Sequence, residues 1–170
     1  FYGRIHPDKG TLEAIEIAKQ VGCRLKIAGH IQDQEYFKRQ ISPRLDNQEV
    51  EYIGNVGQTE GNLLLGNAKA LLHPVRFDEP FGLSVAETMM CGTPVIAFNR
   101  GSMPELIEEG KTGFLVNTVS EAVESIKKLN QIDPVQCRAH ALAKFSIERM
   151  IGQYIEVYEA VHSQQSQPHV

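Results

Sequence analysis

The stretch ALLHPVRFDEPFGLSVAETMMCGTPVIAF, residues 70–98, decides the fold. It begins with the apolar segment Ala70–His73, which predicts a strand, and continues into Phe81–Cys91, which predicts a helix that ends at Gly92. The next segment, Pro94–Phe98, is apolar throughout, as a strand covered on both faces would be. A strand, a helix and a second strand in this order predict two parallel strands joined by a crossover helix.

The rest of the sequence repeats this alternation. Further strands are predicted at Phe1–Ile5, Leu25–Ala28, Val50–Ile53 and Gly113–Val116. Further helices are predicted at Gly10–Val21, Gln32–Ile41, Thr59–Gly66, Ser102–Glu109, Ser120–Asn130, Pro134–Lys144 and Ile147–His162. We therefore expect an α/β fold, a Rossmann-like doubly wound parallel sheet of about six strands with helices on both faces. In such sheets ligands bind beyond the carboxyl ends of the strands.

Composition excludes several classes of function. The net charge of −4 and the pI near 5.9 argue against a nucleic-acid partner, because phosphate backbones require clustered Lys and Arg. The three cysteines, Cys23, Cys91 and Cys137, form no CxxC pair, which favours reduced thiols in a cytoplasmic protein over a disulfide framework or a zinc site. No apolar stretch approaches membrane-spanning length, so any peripheral membrane contact would belong to a part of the protein outside this chain.

The two ends of the chain differ in kind. Residues 1–161 are expected to form one domain, and the polar residues 162–170 are expected to be a disordered tail. Phe1–Ile5, by contrast, has the pattern of a strand from its first residue and lacks an initiating Met. We therefore expect the chain to be part of a larger protein.

Two segments could hold an anion. Arg4 and Lys9 lie around a turn at the end of the first predicted strand. There the planar guanidinium of Arg4 and the flexible ammonium of Lys9 could contact the same anion. The alternative is that they are solvated loop charges. Pro80–Ser84 opens the helix after the strand Ala70–His73, and a helix start presents free N–H groups that a ligand can approach closely at Gly82. The alternative here is an ordinary helix N-terminus after a proline.

Two glutamates flank that helix start. Glu79 and Glu87 are separated by eight residues, which in a helix rise roughly 12 Å, so the two carboxylates cannot share one proton. They could instead accept hydrogen bonds from hydroxyls at opposite ends of a diphosphate. The alternative is a surface glutamate and a partner of the helix dipole. Gly101–Glu105 and Lys111–Leu115 follow at the same sheet edge, either as ligand contacts or as loops packed around the site.

These segments occur in an order that resembles a known family. Gly3-Arg4 with Lys9-Gly10, the EPFGLSVAE run of residues 79–87, GTPVI at 92–96, Pro104-Glu105 and Thr112-Gly113 are similar to the C-terminal domain of the retaining glycosyltransferases of family 4, or group 1, with the GT-B fold. The resemblance covers about residues 1–160. The pair of glutamates within that run is its most specific part.

The resemblance implies a function and a set of residue roles. The domain would bind a nucleoside-diphosphate sugar, and an N-terminal domain absent from this chain would bind the acceptor hydroxyl that receives the hexosyl group with retention. Arg4 and Lys9 would neutralise the diphosphate, and Glu79 would bind sugar hydroxyls near the reacting carbon; these three are the catalytic candidates. The remaining donor-binding candidates are Gly3, Val56, Phe81, Gly82, Leu83, Ser84 and Glu87, the last of which would hold the ribose.

The same resemblance implies some absences. The sequence contains no Asp-x-Asp motif, so we expect neither a metal nor any other cofactor. His30 stands where the family often has a second glycine. The chain alone should transfer no sugar, because it would contain only one of the two domains that form the active site. Two alternatives stay open: a non-catalytic nucleotide-binding module on the same fold, and a GT-B-like enzyme such as a sugar-nucleotide epimerase or a phosphorylase.

Overall fold

The computed structural model describes residues 1–165 and has the expected α/β architecture. Its five strands are β1 (Leu25–Ala28), β2 (Val50–Gly54), β3 (Leu71–His73), β4 (Val95–Phe98) and β5 (Gly113–Val116). All pairings are parallel: β1 pairs with β2 in one sheet, and β4 lies between β3 and β5 in the other. In the second sheet Leu71 is in register with Val95, and Val95 with Gly113.

Within residues 1–165, eight α-helices connect and cover these strands. They are α1 (Thr11–Val21), α2 (Gln34–Tyr36), α3 (Gln58–Gly66), α4 (Leu83–Met90), α5 (Met103–Leu106), α6 (Val119–Ile126), α7 (Pro134–Phe145) and α8 (Ile147–Gln165). The chain continues from α2 as a π-helical turn over Phe37–Ile41, and short 3-10 turns cover Pro7–Lys9, Ser42–Arg44 and Leu129–Gln131. Strands that are followed by helices and pair in parallel confirm the predicted fold class.

The strand count differs from the expected six, because Phe1–Ile5 does not form a continuous strand. It lies beside β1, where the Ala28 amide donates to the Phe1 carbonyl and the Gly3 amide to the Ala28 carbonyl, both at 3.0 Å. The pairing consists only of isolated bridges, between Tyr2 and Ala28 and between Ile5 and Ile31. A Cβ on Gly29 would lie 1.8 Å from the Gly3 carbonyl oxygen, so the two backbones approach each other closely at this point.

One hydrophobic core joins the two sheets. It includes Ile5 and Ile27 from the first half and Leu71 and Ile96 from the second, all fully or almost fully buried. The turn after Ile5 also contacts the second half, since the Arg76 amide donates to the Asp8 carbonyl at 2.7 Å. The carboxyl ends of the first segment and of β3 are therefore held side by side.

The helices differ from the predictions mainly at their ends. α4 begins at Leu83, two residues later than predicted, after Gly82 in a left-handed conformation with φ +93°. α3 runs without interruption through Gly61, and α8 extends to Gln165. The predicted polar tail thus overlaps the end of α8, and its last five residues, 166–170, lie outside the described part of the chain. Within residues 1–165 no helix is both long and apolar enough to cross a membrane.

Candidate functional site

Lys9 and Glu79 meet at the carboxyl edge of the sheets. Lys9 ends the turn after the first segment, and Glu79 lies in the loop between β3 and α4. The Lys9 ammonium donates to Glu79 Oε2, and each side chain is only 13% exposed. The Phe77 ring lies beneath the ammonium, with its centroid 4.7 Å from Nζ. A partly desolvated cation is thus held by a carboxylate and an aromatic face, two of the arrangements that fix a lysine in place.

Arg4 lies outside this contact. Its side chain is exposed, and its guanidinium donates to the Gln32 Oε1 atom in the loop after β1. The structure therefore places Arg4 before the turn Pro7–Lys9 and Lys9 at its end, and it gives the two predicted cations different partners. Arg4 keeps most of its five donors directed to solvent, where an incoming anion could accept from them.

The loop that carries Glu79 is held by the turn before α5. The Ser102 amide donates to the Glu79 carbonyl at 2.9 Å, and the Ser102 hydroxyl donates to the Phe81 carbonyl at 2.6 Å. A Cβ on Gly101, where φ is +54°, would lie 2.4 Å from both the Glu79 amide nitrogen and its carbonyl oxygen. Gly101 and Ser102 therefore position the loop by backbone contact, which is the packing alternative considered for this segment.

The start of α4 is built around Gly82. The amides of Val85 and Ala86 donate to the Gly82 carbonyl, and a Cβ on this glycine would lie 2.7 Å from the Met103 methyl group. Leu83 and Ser84 are the first helical residues, and amides of a first helical turn have no acceptor within the helix. Phe81 is half exposed and contacts the edge of the Phe145 ring at 6.0 Å between centroids. The helix start thus offers N–H groups and a positive dipole end beside the Lys9–Glu79 pair.

The other predicted donor-binding residues lie farther from that pair. Glu87 is exposed one turn into α4, and partial burial raises the pKa of its carboxyl. Gly3 contacts Gly29 through its backbone, and Val56 is half-buried in the loop after β2. Both loops are at the carboxyl edge. Glu79 lies in a loop and Glu87 in a helix, and their roles in binding a ligand stay a prediction.

His73 belongs to the site, although sequence reasoning did not single it out. It is the last residue of β3 and is 4% exposed, and its Nε2 atom has no partner among the described residues. Burial, followed by the positive charge of Lys9, lowers the pKa of the imidazole to about 3. The ring is therefore neutral at physiological pH. A polar residue at the end of an apolar strand that leads into a predicted site is the signal that could have identified it.

The side chains at this edge can bind an anionic ligand that also carries hydroxyls. One ammonium, one exposed guanidinium and a helix start can accept negative charge, and two carboxylates can accept hydrogen bonds from hydroxyls. Among residues 1–165 no three His, Cys, Asp or Glu side chains form a group that could hold a metal ion. The expectation that neither a metal nor a cofactor is needed stays a prediction.

Comparison with known proteins identifies the family to which these features belong. The model of the family "Glycosyl transferases group 1" matches residues 1–143. A curated relative, an uncharacterized 41.2 kDa protein in the cps region of Klebsiella pneumoniae, is 31% identical over 94% of this chain and 45% of its own length. The chain therefore spans less than half the length of that relative.

Solved structures share the fold. AviGT4, a glycosyltransferase involved in avilamycin A biosynthesis, is 26% identical and superposes with a TM-score of 0.82 over 96% of this chain and 51% of its own. HepE of Anabaena, solved in complex with UDP and glucose, is 23% identical with a TM-score of 0.79 over 94% of this chain and 48% of its own. At that identity the second likeness concerns the fold alone.

Proposed function

Because this chain belongs to the group 1 glycosyltransferases, we propose that it is the donor-binding domain of a retaining glycosyltransferase. The complete protein would transfer a hexosyl group from a nucleoside-diphosphate sugar to an acceptor hydroxyl. The observation that carries this proposal is the Lys9–Glu79 pair beside the start of α4, since it joins a cation, a hydroxyl acceptor and free amides at one point. HepE, a neighbour in fold, has been solved with UDP-glucose, which supports a sugar-nucleotide ligand.

Lys9 and Arg4 would bind the diphosphate. An ammonium has three N–H donors, so Lys9 can keep its bond to Glu79 and still donate to phosphate oxygens. Arg4 is exposed and can add a bidentate contact. During transfer, negative charge grows on the departing nucleoside diphosphate. Cations already in position stabilise that charge more than the ground state, and this is how they would accelerate the reaction.

The amides of the α4 start and the two glutamates would hold the remainder of the donor. The N–H groups of Phe81–Ser84 would donate to the diphosphate and the sugar. Glu79 would accept from sugar hydroxyls near the reacting carbon, and Glu87 from the ribose hydroxyls. Gly3 and Val56 would border the diphosphate and the base.

The proposal includes several properties of the whole protein. The acceptor would bind to an N-terminal domain outside this chain, the transfer would need neither a metal nor another cofactor, and the protein would act in the cytoplasm or at the membrane periphery. Transfer would occur in the cleft between the two domains. The isolated chain would therefore bind donor without transferring sugar.

Calorimetry with UDP, GDP and ADP, in the presence of EDTA, tests donor binding by this chain. We expect one of the three to bind with a Kd of about 1 mM or lower, and a domain that binds none of them would refute the proposal. Inorganic phosphate at the same ionic strength is the control for unspecific anion binding.

Steady-state kinetics of the complete protein tests the separate roles of the glutamates. We expect Glu79→Ala to lower kcat more than Glu87→Ala does, because Glu79 acts near the reacting carbon. Losses of equal size that are confined to KM would remove that role from Glu79.

A further inference from the structure

Tyr2 carries a hydroxyl that the fold does not use. Its side chain is half-buried, and among the described residues its Oη atom has no hydrogen-bond partner. It is also absent from the fully buried unpaired atoms, which are Thr11 Oγ1 and His73 Nε2, so the hydroxyl has access to solvent. A half-buried phenol with a free O–H group at the carboxyl edge of the sheets can donate to a ligand.

Gly61 of α3 fits against this hydroxyl. A Cβ at position 61 would lie 2.9 Å from Tyr2 Oη and 3.4 Å from Cζ, so the absent side chain leaves the space that the phenol occupies. Glycine in a helix interior lowers helix stability relative to alanine, yet α3 is regular here, with the Gly61 amide donating to the Gly57 carbonyl at 2.8 Å. The glycine therefore has a packing reason, which is close contact with Tyr2.

Glu87 lies on the helix that packs against α3. The thiol of Cys91, one turn after Glu87, lies 3.8 Å from the carbonyl oxygen of Asn62, which follows Gly61. The side chain of Glu87 forms no hydrogen bond with any described residue. Burial raises the pKa of the Tyr2 phenol, and the charge of Glu87 raises it further. Tyr2, against α3, and Glu87, on the helix that packs against α3, are thus an unpaired donor and an unpaired acceptor on neighbouring elements.

We propose that Tyr2 is a further donor-binding residue, which donates a hydrogen bond from its hydroxyl to the nucleoside part of the nucleoside diphosphate. This inference rests on the proposed function, because Glu87 would bind the ribose of the same ligand. A carboxylate can only accept hydrogen bonds, so Glu87 would accept them from hydroxyl groups of the ligand. The Tyr2 hydroxyl can instead donate a hydrogen bond to an acceptor such as a ribose oxygen or a base carbonyl. Together they would recognise a nucleoside more specifically than either group alone.

Calorimetry on Tyr2→Phe tests this inference, with the nucleoside diphosphate that the wild-type chain binds and with inorganic pyrophosphate as the second probe. We expect the nucleotide to bind about two- to tenfold more weakly to the variant, the loss typical of one hydrogen bond. Pyrophosphate binding should be unchanged, because Tyr2 does not contact the diphosphate. Tyr154→Phe, on the exposed face of α8, is the matched control and should bind both probes as the wild type does.

Gly61→Ala provides an independent perturbation. The new methyl group must displace the phenol, so we expect a similar loss of nucleotide affinity, with little further loss in the double variant Tyr2→Phe/Gly61→Ala. If Tyr2→Phe binds nucleotide as tightly as the wild type, or loses pyrophosphate affinity equally, the role of Tyr2 is refuted and the proposed function stands. If the wild-type chain binds no nucleoside diphosphate, both proposals fail.

Discussion

Replacing Gly101 by alanine should disturb Glu79 from outside the site. Gly101 has a φ of +54°, and its new Cβ would lie 2.4 Å from the Glu79 nitrogen and oxygen and 2.8 Å from the Asp78 carbonyl carbon. Real Cβ atoms essentially never approach closer than 3.0 Å, so the backbones at positions 79 and 101 must separate by at least about 0.6 Å, the difference between 3.0 and 2.4. No flexible side chain can absorb that shift, because all three atoms belong to the backbone.

The expected loss of stability has two parts. An alanine in the left-handed region costs about 1 kcal/mol, and forcing apart a packed contact costs a further 1–3 kcal/mol or so. Gly101→Ala should therefore lower the free energy of unfolding by about 2–4 kcal/mol. Gly22→Ala is the matched control, since φ is +69° there and nothing lies within 4 Å of the new methyl group. It should lose only the conformational part, about 1 kcal/mol.

Urea unfolding measures both losses, and calorimetry measures nucleotide binding by the folded variants. Gly101→Ala should also bind the nucleoside diphosphate more weakly, because a displaced Glu79 no longer holds the Lys9 ammonium in place. Gly22→Ala, at the C-terminal end of α1, should bind as the wild type does. Equal losses of stability in the two variants, or unchanged binding by Gly101→Ala, would refute the argument that this glycine positions the site.

Two further predictions concern the charged and titrating groups of the site. Lys9→Met and Glu79→Gln should each destabilise the chain by about 2–4 kcal/mol, because each leaves one member of a largely buried ion pair without its partner. In urea unfolding, the double variant Lys9→Met/Glu79→Gln should lose at least about 1 kcal/mol less free energy of unfolding than the two single variants lose together. If the losses simply add, the two side chains do not stabilise each other. Because His73 has a pKa of about 3 in the folded chain, below its ordinary value of about 6.5, the unfolded chain binds the proton first. Its contribution to stability is complete above pH 6.5 and is lost as the pH falls towards 3, by up to about 1.4 kcal/mol per pH unit. His73→Leu should remove this slope, and an unchanged pH dependence would contradict the burial of a neutral imidazole.

Much of the fold could be predicted because its elements have local signals. The bounds of β1 and β5 match the predicted Leu25–Ala28 and Gly113–Val116, since short apolar runs between glycines and polar residues mark buried strands. The segment Phe1–Ile5 pairs only through isolated bridges, at Tyr2 and Ile5, and its own apolar pattern gives no signal of this. The later start of α4 follows from the left-handed conformation of Gly82, with φ +93°, which the residue pattern of the predicted helix does not indicate.

The site could be predicted in part for a similar reason. Lys9 and Glu79 are seventy positions apart, but both follow strand-like segments, and the carboxyl ends of parallel strands meet at one edge. That rule brings them together without predicting that they pair, nor that the Phe77 ring lies beneath the ammonium. The positions of Tyr2 and His73 depend on how α3 and β3 pack in three dimensions, which periodicity does not specify.

The hydrogen-bond partners of a side chain within the fold determine whether its substitution changes stability, ligand binding or both. Lys9 and Glu79 hold each other, so a variant of either changes the folded structure as well as the proposed ligand contact, and its kinetic effect must be compared with its loss of stability. Tyr2 and Glu87 have no hydrogen-bond partners for their side chains among the described residues. Their conservative substitution removes little from the fold, and a change in nucleotide affinity would then come from the ligand contact itself. Tyr2 and Glu87 are therefore the residues at which the proposed recognition can be measured separately from stability.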